Sequence, residues 1–176
     1  FQKDFFKLLN IENNIEVVAP IKVKNLILKK RLSKWECTNY DLFREKLNFN
    51  LNINTALKII YVSRKNAERS FKNEDFLLKF LKPYNVSIID FSTITLSQRI
   101  ELLADTDILI GQYGAGLTNM AFMRNDSFVM DLQIGNWVKN DYCLLANSCR
   151  LKYINVAFPI KFTTDDPYEL TYDDVY

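Results

Sequence analysis

Residues 107–119 read DILIGQYGAGLTN, a short apolar run that passes directly into a glycine-rich turn. Isoleucine and leucine in such a run predict a buried β-strand over residues 107–111. The chain has only four glycines, and Gly111, Gly114 and Gly116 all belong to this stretch. The residues that follow, LTNMAFM, predict a short helix. A strand that ends in a glycine turn and continues into a helix is typical of an α/β domain.

The segments before and after this stretch continue the same alternation. Apolar runs predict further strands at 57–64, 86–91, 127–133 and 151–156. Helical patterns separate them, over 73–84 with Pro83 as the stop, over 95–106 with Thr95 or Ser97 as the cap, and over 138–150. Strands that are apolar on both faces are typical of a parallel sheet with helices on each side. The sequence therefore predicts an α/β, Rossmann-like domain over residues 56–176.

The first 55 residues have a less regular pattern. They contain a short amphipathic helical segment, strand-like runs on either side of Pro20 and a second helical segment. The asparagine-rich stretch 48–55 predicts a linker. We therefore expect residues 1–55 to be the end of another domain with its linker. The acidic pair Asp165 and Asp166 is expected on the surface, in the tail of the chain.

Composition excludes several classes of function. The net charge of +2 is too small, and basic blocks too few, for a nucleic-acid partner. The chain has no histidine, which excludes a Cys/His zinc site and leaves Ser63 and Cys143 without the partner that a hydrolase triad requires.

The same composition gives an expectation for the compartment. Three cysteines without a CxxC spacing are expected to be reduced thiols in the cytoplasm, with the inner face of a membrane as a second possibility. No apolar run has the length of a membrane span. The chain begins at Phe1 without a methionine, so we expect a fragment, and a preceding targeting or anchor segment stays an open alternative.

The position of the glycines indicates a ligand site. Ligands of open parallel sheets bind beyond the carboxyl ends of the strands, where this turn lies. Glycine lets backbone N–H groups approach a ligand closely, and a helix start offers free N–H groups to an anion. A diphosphate is the expected occupant, and a tight turn that only packs helix on strand is the alternative. The spacing GxxGxG after a late strand disfavours a dinucleotide-dependent oxidoreductase, whose GxGxxG follows the first strand.

A basic cluster follows the first predicted strand of this domain. Arg64, Lys65 and Arg69 crowd its carboxyl end, on the same side of the sheet as the glycines. Arginine binds phosphate through two parallel hydrogen bonds. The alternative is a solvated basic loop whose charges are paired with Glu68 or Glu74.

Three segments in this order resemble glycosyltransferase family 61: SRKNAERSFKNEDF, then LSQRIELLADTDILIGQYGAGLTNMAFM, then VMDL. The family has an SRxxAxxR-NE segment, a segment that ends in GxHGAGLTN, and an apolar strand that ends in an acidic residue. The resemblance covers residues 57–156, and more weakly the first fifty. It implies the C-terminal, donor-binding half of a GT-B fold, with residues 1–55 as part of the acceptor-side domain.

The resemblance also implies an activity. Members transfer a sugar with inversion from a nucleotide sugar, usually a UDP sugar, to a glycan or polysaccharide acceptor, without a required metal or other cofactor. Asp105-Thr106-Asp107 has the spelling of a DxD metal motif, but it lies at the start of a strand, away from the site, and is interpreted as a turn.

The resemblance assigns roles to individual positions. Arg64 and Arg69 would hold the diphosphate or uridine side of the donor, and Asp131 would accept hydrogen bonds from the ribose or a sugar. The donor phosphates would lie against the turn that comprises Tyr113, Gly114, Ala115, Gly116, Leu117, Thr118 and Asn119. No residue is assigned as the general base that an inverting enzyme needs.

Two positions depart from the family pattern. Tyr113 replaces the histidine of GxHGAGLTN, and Asp131 stands where glutamate is common. Tyrosine can donate a hydrogen bond, but it cannot exchange protons near neutral pH as histidine does. A catalytically degenerate protein that binds a nucleotide sugar therefore remains one alternative, and an interaction module with a structural glycine turn remains another.

Overall fold

The computed structural model describes residues 56–65, 67, 70–134 and 139–158. The predictions for residues 1–55, Glu68, Arg69 and the tail from residue 159 lie outside these residues. None of the helices in the described segments is long and apolar enough to cross a membrane.

Five strands alternate with helices in the order that the sequence predicts. The strands are β1 (Ile59–Val62), β2 (Ser87–Ile89), β3 (Ile108–Gln112), β4 (Phe128–Ile134) and β5 (Lys152–Phe158). The α-helices are α1 (Glu74–Leu81), α2 (Leu96–Ala104) and α3 (Asp141–Ser148). Short 3₁₀ segments span Lys82–Tyr84 and Ala115–Phe122.

All strands pair in parallel, in the order β2-β1-β3-β4-β5. Leaving β1, the chain forms β2 on one side and then returns past β1 to form β3 on the other. Such a reversal opens a crevice at the carboxyl ends of the two strands that flank it, here β1 and β3. The predicted parallel α/β sheet is confirmed.

Helices cover both faces of the sheet, as predicted. On one face the side chains of α2, the 3₁₀ helix Ala115–Phe122 and α3 pack on Ile60, Leu109 and Val129, which are fully buried. On the other face α1 packs through Leu77 against a cluster that includes Tyr61. Both faces of the central strands are therefore buried, which explains their continuous apolar runs.

Three predicted details are wrong. The segment after the glycine turn is a 3₁₀ helix that begins at Ala115, earlier than LTNMAFM indicated. Helix α1 ends at Leu81, three residues before the predicted end at 84, and Pro83 lies in the following 3₁₀ turn, where a missing N–H costs little. Strand β4 is not apolar on both faces, since it buries Asp131 and Gln133. Of the two proposed caps of α2, Thr95 is the one used, in a capping box with Gln98.

Candidate functional site

A cavity of about 500 Å³ lies at the carboxyl ends of β1, β2 and β3. It coincides with the crevice that the strand order creates. Residues from the end of β1, the end of β2, α2 and the glycine turn line it: Val62, Ser63, Arg64, Ala67, Asp90, Phe91, Ser92, Arg99, Ala115, Gly116, Thr118 and Asn119. The structure thus brings Arg64 and four of the predicted turn residues together around one space.

Arg64 is held in place at both its backbone and its side chain. Its Nη1 donates a hydrogen bond to the carbonyl oxygen of Tyr113 over 2.6 Å. Its backbone N–H donates to Oε1 of Glu74 over 3.0 Å. Among the described residues no carboxylate forms an ion pair with Arg64. The guanidinium is therefore oriented by a neutral backbone carbonyl and lines the cavity.

Gly114 makes this position of Arg64 possible. A Cβ placed on Gly114 would overlap the guanidinium, and the three atoms nearest to it all belong to Arg64. Gly116 is also tightly packed, since its Cβ would lie 3.2 Å from Cγ1 of Val62. The glycines therefore serve the close approach of backbone and side chains at the carboxyl edge of the sheet.

The residues after Gly114 form the start of the 3₁₀ helix. The N–H of Leu117 donates to the carbonyl oxygen of Gly114 over 3.0 Å, which leaves the amides before it without an intrahelical acceptor. The Thr118 hydroxyl donates to the carbonyl oxygen of Ala115 over 2.6 Å. Leu117 itself is 1% exposed and belongs to the core. Backbone amides at Ala115 and Gly116, which line the cavity, are thus the groups that suit an anion.

Glu74 is a site-supporting residue whose role the sequence did not reveal. Its carboxylate is buried and accepts three hydrogen bonds, from the Tyr61 hydroxyl over 2.8 Å, from the Ser63 hydroxyl over 2.7 Å and from the N–H of Arg64. Glu74 therefore fixes the backbone at the end of β1 and does not neutralise the Arg64 side chain. Burial and this hydrogen bond raise the pKa of Tyr61. The alternative of a basic loop paired with Glu74 does not describe Arg64; Lys65 instead pairs with Asp75 at the surface.

Arg99 and Asp90 also line the cavity without having been predicted. Nε and Nη2 of Arg99 donate to the carbonyl oxygen of Ile94 over 3.3 and 3.1 Å, and the guanidinium lies 5.9 Å from the centre of the Phe91 ring. Asp90 directly follows β2. The rule that ligands bind beyond the carboxyl ends of strands, applied to every strand, would have identified it.

Tyr113 is turned away from the cavity lining. Its hydroxyl donates to Oδ2 of Asp141 over 2.6 Å, and its ring makes an edge contact with Tyr142 at 4.9 Å between centroids. Lys139 Nζ lies 5.1 Å from the ring centre. Burial and the bond to Asp141 raise the pKa of Tyr113, so its hydroxyl stays protonated at neutral pH. The side chain ties the glycine turn to α3, while its carbonyl oxygen orients Arg64.

Asp131 lies beneath the site rather than in the cavity lining. It is 0% exposed, and its Oδ2 accepts hydrogen bonds from the Tyr153 hydroxyl over 2.6 Å and from Gln133 Nε2 over 2.8 Å. Its Oδ1 is buried without a hydrogen-bond partner in the described part of the chain. Burial raises the pKa of Asp131, against the lowering effect of its two donors. The predicted contact with ribose or sugar stays a prediction, as does the phosphate contact of Arg69.

The DxD-like sequence lies at the opposite, amino edge of the sheet. Asp107 accepts a hydrogen bond from the N–H of Lys58 over 2.8 Å and forms an ion pair with Arg124, and Asp105 pairs with Lys58 Nζ. Within the described ranges no three potential metal-ligating side chains come together. The interpretation of these aspartates as part of a turn before β3 agrees with their position.

Comparison with known proteins identifies the family. The sequence model described as Glycosyltransferase 61 matches residues 3–130. A curated protein of Drosophila melanogaster, EGF domain-specific O-linked N-acetylglucosamine transferase, is 32% identical over 107 aligned positions that cover 54% of this chain. The chain spans only 21% of the length of that relative. Since the family match extends over most of the chain, the resemblance carried by its three motifs is confirmed, and the chain belongs to glycosyltransferase family 61.

Proposed function

We propose that this chain carries the donor-binding site of a glycosyltransferase that uses a nucleotide sugar, with UDP as the nucleotide. The observation that carries the proposal is the convergence of Arg64 and the first amides of the 3₁₀ helix on one cavity. A guanidinium and a helix start both favour a negatively charged group. A donor diphosphate satisfies both at once, with Gly114 to Asn119 against its oxygens.

The proposed reaction is a single displacement with inversion. The acceptor hydroxyl oxygen bonds to the anomeric carbon while the bond from that carbon to the diphosphate oxygen breaks. The electron pair stays on the departing diphosphate, and the hydroxyl proton passes to a general base that we do not assign. Arg64 and the amides would stabilise the charge that develops on the leaving group, so the proposed transfer needs no metal.

The relative supports a choice of sugar and adds an acceptor. Its name specifies N-acetylglucosamine and an O-linked protein domain. For this chain we propose UDP-N-acetylglucosamine as the first donor to test. The acceptor is a glycan or polysaccharide in our proposal, and a protein hydroxyl is the alternative that the relative suggests.

Thermal unfolding with and without nucleotides tests the proposal. UDP or UDP-N-acetylglucosamine at about 100 times its Kd should stabilise the chain by about 2.7 kcal/mol, in EDTA as in Mg²⁺. GDP and NADH serve as comparison ligands. Arg64→Ala should abolish the shift, whereas Lys65→Ala should retain it, because Lys65 is exposed and paired with Asp75. The absence of any shift, or equal effects of the two variants, would contradict a donor site at Arg64.

A second candidate is a protein that binds the donor without turning it over. The observation that favours it is the hydrogen bond from the Tyr113 hydroxyl to Asp141, which occupies the side chain at the family's histidine position. Tyr113→His would then increase donor hydrolysis or sugar transfer from a very low level. Efficient transfer by the unaltered chain would exclude this candidate.

A further inference from the structure

Asp90 is a carboxylate in the cavity with one oxygen that the fold does not use. Its Oδ1 accepts from the N–H of Ser92 over 2.8 Å and from the Ser92 hydroxyl over 2.6 Å, which closes the turn after β2. Within the described segments no group donates a hydrogen bond to its Oδ2. The turn therefore needs only one of the two oxygens, and the other is available to a ligand.

The neighbours of Asp90 place it beside the proposed phosphate site. The N–H of Ser63 donates to the carbonyl oxygen of Ile89 over 2.9 Å, which keeps the ends of β1 and β2 paired. Arg64 follows Ser63 directly, and the glycine turn follows β3 on the other side of β1. Adjacent strands lie about 4.8 Å apart. A carboxylate, a guanidinium and free amides therefore succeed one another along this edge of the sheet.

A carboxylate at this position would repel a bare phosphate ligand. Arg64 and the helix start favour negative charge, while Asp90 disfavours it a short distance away. A molecule that carries hydrogen-bond donors next to its phosphates suits all three groups, and Arg99, which also lines the cavity, adds a further positive charge. Ribose has two adjacent hydroxyls that can donate to a carboxylate, and an acidic residue near a phosphate-binding turn binds ribose in other nucleotide-binding folds.

We propose that Asp90 recognises the ribose of the bound nucleotide, with its Oδ2 accepting a hydrogen bond from a ribose hydroxyl. The diphosphate then lies over Arg64 and the amides of Ala115 and Gly116. The inference rests on the proposed donor site and adds to it a residue that binds the ribose of the nucleotide. It gives Asp90, rather than the fully buried Asp131, the role of ribose acceptor.

Calorimetric binding of three ligands to the chain and to Asp90→Asn tests the inference. The ligands are UDP, dideoxyuridine diphosphate, which lacks both ribose hydroxyls, and inorganic pyrophosphate. The variant keeps the oxygen that Ser92 needs but presents an amide donor in place of Oδ2. Affinity for UDP should fall about tenfold to a hundredfold. Affinity for pyrophosphate should stay the same or rise, because a negative charge is removed, and affinity for the dideoxy ligand should not fall.

The opposite signs of these effects separate ribose recognition from a general loss of the site. Glu101→Gln is the matched control, since it removes an exposed carboxylate from α2 outside the cavity lining and should leave all three affinities unchanged. In the unaltered chain the dideoxy ligand should bind about tenfold to a hundredfold more weakly than UDP, a comparison that requires no variant.

Four outcomes would overturn the inference. If Asp90→Asn binds UDP as tightly as the unaltered chain, the donor site stands and Asp90 has no part in it. If the affinities for UDP and pyrophosphate fall in parallel, Asp90 maintains the structure of the site and does not contact the ribose. If Asp131→Asn, and not Asp90→Asn, selectively lowers the affinity for UDP, the ribose contact belongs to Asp131. If the unaltered chain binds no UDP, the proposed function fails, and the inference fails with it.

Discussion

Arg64 and Gly114 share one small volume at the edge of the sheet. The Arg64 guanidinium lies where a Cβ on residue 114 would be. Its Nη1 donates a hydrogen bond to the carbonyl oxygen of Tyr113. The glycine is therefore required by a neighbouring side chain as well as by the turn. At this scale the absence of a side chain on Gly114 leaves the space that the Arg64 guanidinium occupies.

Replacing Gly114 with alanine should have the same effect on donor binding as removing Arg64. The new Cβ would displace the guanidinium, so affinity for UDP should fall about tenfold to a hundredfold. Calorimetry on Gly114→Ala, Arg64→Ala and the double variant measures this. Because the three atoms nearest to this Cβ all belong to Arg64, the double variant should bind UDP no more weakly than Arg64→Ala alone. Fully additive losses of UDP affinity would contradict overlap between a Cβ at residue 114 and the Arg64 guanidinium.

Asp131 should make stability depend on pH. Burial raises the pKa of its carboxyl in the folded state, while in the unfolded state it titrates near its ordinary value of about 4. Between these two pKa values the folded state binds more protons than the unfolded state, so the free energy of unfolding should fall as the pH rises. Urea unfolding from about pH 4 to 7 should show a smaller fall for Asp131→Asn. Equal pH dependence of the two proteins would contradict the raised pKa.

At the scale of elements, α1 and β1 are joined by a single carboxylate. Glu74 in the first turn of α1 accepts hydrogen bonds from Tyr61 in β1 and from the two residues that follow, Ser63 and Arg64. The helix thus holds the end of the strand from which Arg64 projects. In glutamine one of the two acceptor oxygens becomes an NH₂ donor, so one of these hydrogen bonds would be lost or reversed.

Glu74→Gln should therefore destabilise the protein by about 1–3 kcal/mol. The neighbouring Asp75→Asn is the control, because that carboxylate is 70% exposed and pairs with Lys65 at the surface. Loss of an exposed pair of this kind costs about 1 kcal/mol or less. Urea unfolding of both variants at neutral pH measures the difference. Equal stability of the two variants would show that the buried hydrogen bonds contribute little.

Most of these elements could be predicted from the sequence, because local patterns encode them. Apolar runs located all five strands to within two residues at both ends, and Thr95, one of the two proposed caps, is the residue that begins α2. The 3₁₀ form of the helix after Gly114 and the burial of Asp131 were not predicted. Both depend on packing between segments that are distant in sequence, which local periodicity does not contain.

For the whole molecule, strand order determines which residues meet. Segments around residues 64, 90 and 115 are far apart in the chain, but β2, β1 and β3 are neighbours, so their carboxyl ends form one edge. The sequence predicted the contributions of β1 and β3, where glycine and arginine are conspicuous. It missed Asp90 and Arg99 because a lone aspartate or arginine becomes a site residue only through the neighbours that the sheet gives it.

Hydrogen exchange should separate the two edges of the sheet. UDP should slow the exchange of amides near Arg64, near Asp90 and in the first turn after Gly114, all at the carboxyl edge. A second cavity, of about 370 Å³, lies at the amino edge and is lined by residues that include Arg124 and Phe128. Exchange there should not respond to UDP. Protection at the amino edge alone would place the nucleotide away from the proposed site.

Substitutions at positions 64 and 114 are expected to be coupled in evolution. A side chain can enter position 114 only after the guanidinium has left, and a guanidinium can return only to a chain that still has glycine there. Loss of the arginine would remove one of the two constraints on the glycine and leave the constraint from the turn. Lineages that lose the arginine are therefore expected to vary at the glycine as well, while the apolar strands on either side continue unchanged.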